Sequence, residues 1–213
     1  MPIYICRTGA TDQLIKSMNP QLNVLPKDGQ ASYRNAFLDD GQCTTFFNAL
    51  SLSLQWQADE LIMFGQKIIT RRKVAWVGDP DCSYTYSGMK KNPQPWTSEL
   101  LLIKSLVEET AECTFNSCLL NLYHNGEEGM GWHSDDEKEL DGTAPIASLS
   151  LGATRKFAFR HKQDKTGVSL FLENGSLLIM HAPTQQCWQH SLLKTRTAVA
   201  PRINLTFRKI LLK

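Results

Sequence analysis

The sequence predicts an α+β fold, mainly β, with a jelly-roll core buttressed by N-terminal helices. Three observations carry this. From Ser117 onward, SCLLNLY, PIASLSLG, RKFAFRH, GVSLFL, GSLLIMH, CWQHSLL and RINLTFRKILL form short β-rich runs at close spacing. Gly131, Gly152, Gly167 and Gly175, with Asn174, fall between these runs or at their edges. Many short strands with turn signals suggest a sandwich or barrel. Upstream, two stretches instead carry apolar residues at helical spacing. Hydrophobic residues at 42% and charged residues at 21% suit a globular chain rather than a disordered one.

Taken in order, residues 1–35 carry few signals and are expected to be an N-terminal arm. From Cys43 to Trp56, the recurrence of Phe46, Phe47, Leu50 and Leu54 predicts a helix, with Asp39 and Asp40 placed to favour its N-terminus. LIMFGQKIITRRKVAWVGD is β-rich, with a basic knot at Arg71, Arg72 and Lys73. CSYTYSG alternates Tyr84 and Tyr86, and KKNPQPW is a loop by its prolines. Thr97 to Thr110 predicts a second helix, capped by Thr97 or Ser98, with Leu100, Leu101, Ile103, Leu106 and Val107 as its apolar stripe. No internal repeat or low-complexity tract interrupts the chain. A single domain is expected over 36–213, its core at about 115–213.

Several classes are set aside by composition. No apolar run approaches the ~20 residues needed to span a bilayer, so no membrane partner is expected. The start, MPIYICRTGA, lacks the basic and apolar regions of a signal peptide. The expected setting is therefore not secretory: cytoplasmic in a bacterial cell, nuclear in a eukaryotic one, with reduced thiols. Cys6, Cys43, Cys82, Cys113, Cys118 and Cys187 are scattered without a CxxC pair, which argues against a structural zinc site or disulfide framework. The net charge of +2 neither demands nor excludes a nucleic-acid partner, because placement matters more than the total. A monomer is expected.

The chemistry concentrates in two places. In GWHSDDEKEL, His133 and Asp135 are two residues apart, so on an extended segment both side chains face the same way. That suits two neighbouring ligands of one metal. A third must come from elsewhere: His190, on a predicted strand, or His181, in the more turn-like MHAP. Strand placement favours His190. Two histidines and a carboxylate make the facial triad of non-haem Fe(II) oxygenases, with open positions left on the metal. Alone, a His-x-Asp pair is more often a surface hydrogen-bonded pair.

The second place is PRINLTFRK. Ile203, Leu205 and Phe207 fall on one strand face; Arg202, Asn204, Thr206 and Arg208 fall on the other. The polar face of an isolated strand is ordinarily wet. Turned inward, it needs an anion. An Fe(II) oxygenase that uses 2-oxoglutarate must hold a dicarboxylate, and arginine's fork matches a carboxylate. Arg202 and Arg208 start about 20 Å apart, and their long arms can fold toward each other. Asn121 and Tyr123, also spaced by two, can point into the same space, so five polar side chains are expected around one anionic ligand.

NLYHNG, then HSD, a distal histidine and RINLTFR together resemble the AlkB family of Fe(II)/2-oxoglutarate nucleic-acid dealkylases. The likeness extends through RKVAWVGD, YTYSG and GSLLIMHAPTQQCWQHS and runs from about Leu61 to Ile210. It implies a double-stranded β-helix core and a nucleotide-recognition lid of hairpins at about 60–95. It implies that His133, Asp135 and His190 bind Fe(II), that Arg202, Tyr123 and Asn204 hold the distal carboxylate of 2-oxoglutarate, and that Asn121 and Arg208 sit near its chelating end, with dioxygen as the other co-substrate. Tyr84, Tyr86 and Ser87 would form the base pocket, a flipped base stacking against His133. Glu137 would face the exocyclic amine of the base. The implied partner is DNA with alkylated bases, single- or double-stranded.

IMFGQK further resembles the hairpin of the family's duplex-preferring branch, in which Phe64, flanked by Met63, would enter the base stack. Arg72 would contact substrate, Asp136 would orient one of the nearby arginines, and Lys194 and Arg196 would touch phosphates. Two departures stand out: Arg71 occupies a position where the family pattern has proline, and KTRT is less basic than a strong duplex clamp. The implied reaction is oxidative demethylation of 1-methyladenine and 3-methylcytosine in DNA. The same chemistry on RNA or a protein side chain is the rival enzyme reading, and a lesion-binding module without turnover the rival of another class.

Overall fold

A computed structural model describes residues 23–63, 66–82, 84–86 and 89–212. The expected helices are present, with shifted ends. The first, α1 (Asp40–Ser53), begins earlier than its apolar pattern because Asp39 caps it: the Asp39 carboxylate accepts from the Gln42 amide, and the Gln42 side chain accepts from the Asp39 amide. It ends at Leu54, whose backbone is extended, so Trp56 lies outside it. In α2 (Ser98–Ala111) the cap is Thr97, which accepts from the Leu100 amide. This helix buries Leu100, Ile103, Val107 and Ala111, while Leu101 and Leu106 of the expected stripe face solvent.

Strands make up most of the rest. A seven-stranded antiparallel sheet contains β1 (Gln30–Arg34), β2 (Gln57–Met63), β3 (Gln66–Gly78), β6 (Ser117–Tyr123), β8 (Ile146–Gly152), β11 (Leu177–His181) and β13 (Arg202–Arg208), in the order β1-β11-β8-β13-β6-β3-β2. A four-stranded sheet holds β7 (Met130–His133), β9 (Arg155–His161), β10 (Gly167–Leu172) and β12 (Trp188–Leu192), in the order β10-β9-β12-β7. Between β11 and β12 lies the short α3 (Thr184–Cys187). A separate ribbon pairs β4 (Tyr84–Tyr86) with β5 (Met89–Lys91).

The arm expected over 1–35 needs correction at its end. Gln30–Arg34 is an edge strand of the large sheet, paired with β11 from Gln30 opposite His181 to Arg34 opposite Leu177. Ala31 is fully buried. The segment is short and mixed in composition, so it carries no periodic signal.

Two cores explain the layers. Phe46, Leu50, Ile103 and Val107 of the helices pack with Leu120, Leu149, Leu151, Ile203, Leu205 and Phe207 on one face of the large sheet. The other core, between the sheets, gathers Phe157, Phe159, Trp188 and Leu192 with Tyr123, Leu178 and Met180. β13 therefore has its apolar alternation on the helices. Its polar alternation faces the jelly-roll interior, where Arg202 is only 1% exposed. The φ of +90° at Gly152, paired with Arg202, explains its glycine: a Cβ there would stand 2.4 Å from the Pro201 carbonyl oxygen.

Candidate metal centre

His133 ends β7 and His190 lies in β12, and the sheet register sets them directly opposite one another. Their rings stand 4.3 Å apart, centroid to centroid. Asp135, just past β7, completes the group: its Oδ1 is 3.8 Å from His133 Nε2 and its Oδ2 is 3.7 Å from His190 Nε2. One ligand atom from each residue lies within 4.8 Å of the others, close enough to hold a single ion. His190, and not His181, lies with the pair; His181 lines a neighbouring cavity instead.

The surroundings suit a divalent cation. The His133 Nδ1 is 2.8 Å from the Gly131 carbonyl oxygen, which fixes the ring with Nε2 toward Asp135. Burial works to raise the pKa of Asp135, but His190, Arg208 and His133 outweigh it and keep the carboxyl below its usual range. Burial depresses His190 from 6.5 to about 4, so its imidazole is neutral at pH 7, the form that ligates metal. A histidine held neutral in this way contributes stability that is complete above the unfolded value and is lost as pH falls through the folded one. The metal-free protein is expected to lose stability from about pH 6.5 down to about 4. Denaturant midpoints recorded across that window check this, and a flat profile would contradict it.

Beside the three side chains lies a cavity lined by Asn121, Tyr123, Ser148, Arg202, Asn204 and Thr206, with Met130, Phe157, Met180 and Leu192 as apolar walls. Arg202 donates from Nη2 to Ser150 Oγ at 2.9 Å and to Asn204 Oδ1 at 2.8 Å. No carboxylate among the described residues pairs with it, and burial pulls its pKa down to about 10. Its Nε and the side-chain oxygen of Asn121 are buried without partners among the described residues. Three guanidiniums surround the Tyr123 ring: Arg202 at 5.6 Å, and Arg72 and Arg155 each at 5.9 Å. A buried, cationic pocket of this kind can accept a carboxylate.

Four of the five polar residues expected around that ligand line the cavity; Arg208 does not. It lines the two adjoining cavities and donates from Nη1 to Glu137 Oε1 at 3.1 Å. At the far end of a strand that twists across the sheet, its arm reaches the 137 loop rather than Arg202. Asp136 pairs with Lys162 at 3.6 Å. Arg72 is buried, with Nη1 3.0 Å from Met130 Sδ, and it lines a large groove that shares Leu119, Asn121 and Met130 with the cavity. Lys194 and Arg196 are exposed on the loop after β12. Tyr84 and Tyr86 lie in β4; Phe64 and Ser87 fall outside the described residues. Ser148 and Ser150 are site residues that sequence reasoning missed. Their alternation in PIASLSLG, on a strand paired with β13, is the signal that finds them.

A family model described as the 2OG-Fe(II) oxygenase superfamily matches residues 30–208. Mouse DNA oxidative demethylase ALKBH2 is 37% identical over 215 residues, covering 96% of this chain and 89% of the relative. The chain belongs to the AlkB family of 2OG-Fe(II) oxygenases. Other AlkB relatives agree. Human DNA oxidative demethylase ALKBH2 is 44% identical over 158 residues, 70% of this chain and 60% of the relative. The bovine alpha-ketoglutarate-dependent dioxygenase alkB homolog 3 is 39% identical over 184 residues, 82% of this chain and 64% of the relative. The chain thus covers less than two thirds of the human relative's length. A solved structure, "The structure of OsALKBH1", superposes with a TM-score of 0.61 at 17% identity, covering 84% of this chain and 96% of that one, and shares the fold. The AlkB cofactor set of Fe(II), 2-oxoglutarate and dioxygen is the one the sequence led us to expect, and the donor set fits it: two imidazoles and a carboxylate for iron, a guanidinium without an anion for 2-oxoglutarate. Among the described residues no helix is long and apolar enough to cross a membrane.

Proposed function

We propose that the chain repairs DNA by oxidative demethylation of N-alkylated bases, 1-methyladenine and 3-methylcytosine, with release of formaldehyde. The observation that carries this reading is the juxtaposition of the His133–Asp135–His190 group with the buried, anion-less Arg202 in one cavity. Relatives bearing the name DNA oxidative demethylase support DNA as the substrate.

In this reading His133, Asp135 and His190 hold Fe(II). Arg202, Tyr123 and Asn204 take the distal carboxylate of 2-oxoglutarate, and Asn121 the end nearer the metal. Held there, Fe(II) with 2-oxoglutarate and dioxygen would supply the oxidising power to hydroxylate an N-methyl carbon, the co-substrate leaving as succinate and carbon dioxide. The hydroxymethyl group then departs as formaldehyde, and the ring nitrogen of the base is restored. By the family resemblance, Tyr84, Tyr86 and Ser87 would form the pocket for the flipped base. The Glu137 carboxylate faces a cationic damaged base, and Arg208 keeps it oriented through their 3.1 Å contact. Lys194 and Arg196 meet phosphates, so binding weakens as salt rises.

Formaldehyde release from 1-methyladenine oligonucleotides, single-stranded and duplex side by side, tests the reaction. Phe64→Ala tests the finger: activity on duplex is expected to fall by about tenfold or more, the cost of a few kcal/mol of unstacking, while single-strand repair holds. Equal losses on both substrates would remove the finger, and no release from either would remove the reaction.

A further inference from the structure

The reaction as read gives Arg155 no task. Arg155, the first residue of β9, is 2% exposed. It has no carboxylate partner within hydrogen-bond reach among the described residues; its guanidinium donates to backbone carbonyls. Nη1 reaches the Asn125 oxygen at 3.0 Å, and Nη2 reaches the oxygens of Glu128 at 2.6 Å, Leu193 at 2.8 Å and Gly126 at 3.3 Å.

Those carbonyls belong to two different connections. The 124–129 loop joins β6, which ends at Tyr123, to β7, which carries His133. Leu193 begins the connection from β12, which carries His190, to β13, which starts at Arg202. The loops also touch directly. The Thr195 amide donates to the Gly126 oxygen at 2.8 Å. A Cβ on Gly126 would meet the Thr195 oxygen at 2.6 Å, and one on Gly129 the Leu192 oxygen at 2.6 Å. Arg155 closes this contact from inside, 5.9 Å from the Tyr123 ring.

We propose that Arg155 is a positioning residue that locks the Tyr123 end of the co-substrate cavity and the basic 193–197 loop into one unit. Tyr123 is thereby held for the distal carboxylate of 2-oxoglutarate, and Lys194 and Arg196 are set at a fixed distance from the metal centre. A planar fork with five donors spans two loops; a lysine ammonium at the same site reaches one of them. The proposal rests on the reading of the cavity given above.

The test uses the full chain loaded with Ni(II) in place of iron, so that binding is read without turnover. Calorimetry measures 2-oxoglutarate, and anisotropy measures a labelled single-stranded oligonucleotide. Arg155→Lys is expected to weaken both by about tenfold, the usual scale for a residue that orients a ligand-binding group, with Ni(II) affinity unchanged. With iron, the loss is expected in KM for both substrates rather than in kcat. Gly126→Ala, which drives the loops apart while keeping Arg155, is expected to reproduce the pattern. Wild-type affinity for both probes in either variant overturns the proposal, as does a loss that follows Ni(II) affinity or kcat, the mark of general damage. Arg202→Met separates the two levels of inference. Unchanged 2-oxoglutarate affinity there would sink the cavity reading itself, whereas loss there beside wild-type affinities in Arg155→Lys would sink only the clamp.

Discussion

Arg202→Met is expected to abolish 2-oxoglutarate binding while leaving the ligand-free protein as stable as before, or more so. The two effects have opposite signs for one reason. Arg202 is a fully buried cation whose hydrogen bonds, among the described residues, go to the neutral groups of Ser150 and Asn204. Hydrogen bonds to neutral groups offset its desolvation only in part, and replacing buried charge by apolar volume is often neutral or stabilising, by about 1–4 kcal/mol. With a dicarboxylate present, the same guanidinium supplies a charge-assisted pair, and its loss is expected to weaken binding by about a hundredfold or more. Thermal unfolding with and without metal and 2-oxoglutarate reads both at once. The wild type gains stability with ligand concentration, as a ligand bound only to the native state requires. The variant is expected to start at or above the wild-type midpoint and gain almost nothing. A variant that unfolds much earlier without ligand would mean that Arg202 is structural.

Asp135→Ala carries the largest expected effect on activity. It removes the only carboxylate of the metal group and leaves two imidazoles 4.3 Å apart without their shared anion. Iron binding is expected to fail, with kcat/KM down by on the order of a thousandfold, about 4 kcal/mol. Equilibrium dialysis against Fe(II) or Ni(II) separates this from unfolding, and circular dichroism confirms that the sheets persist. Metal binding at wild-type strength would show that another residue completes the site.

Much of this was readable from single strands. The alternation of RINLTFR correctly separated the helix-facing residues from the interior-facing ones, because a period of two survives any packing of the strand. His-x-Asp was readable for the same reason. What sequence could not supply is how far apart residues of one face end up. Arg202 and Arg208 share a face, yet they serve different cavities, since a twisted strand carries its ends to different neighbours. The Glu137–Arg208 and Asp136–Lys162 contacts join segments far apart in the chain, and nothing local announces them. Arg155 was legible in part. In RKFAFRH it falls in phase with Phe157, Phe159 and His161, so the pattern put a charge on an apolar face. That anomaly is the sign of a cation with a structural task. Leu101 and Leu106 failed as core residues because α2 buries only the narrower row through Leu100, Ile103 and Val107.

The small sheet places the two imidazoles of the metal group on strands of unequal support. β7 is one of its two edges, a four-residue strand paired to β12, with a register shift between the His190 and Leu192 pairings. His190 lies in an interior strand; His133 sits at the end of an edge strand. Opening a strand end costs far less than global unfolding. A metal held here is therefore expected to leave by fraying at this edge, with the rest of the jelly roll staying closed. Amide hydrogen exchange would place β7 among the fast-opening segments in the metal-free protein and among the protected ones once the ion bridges it to β12.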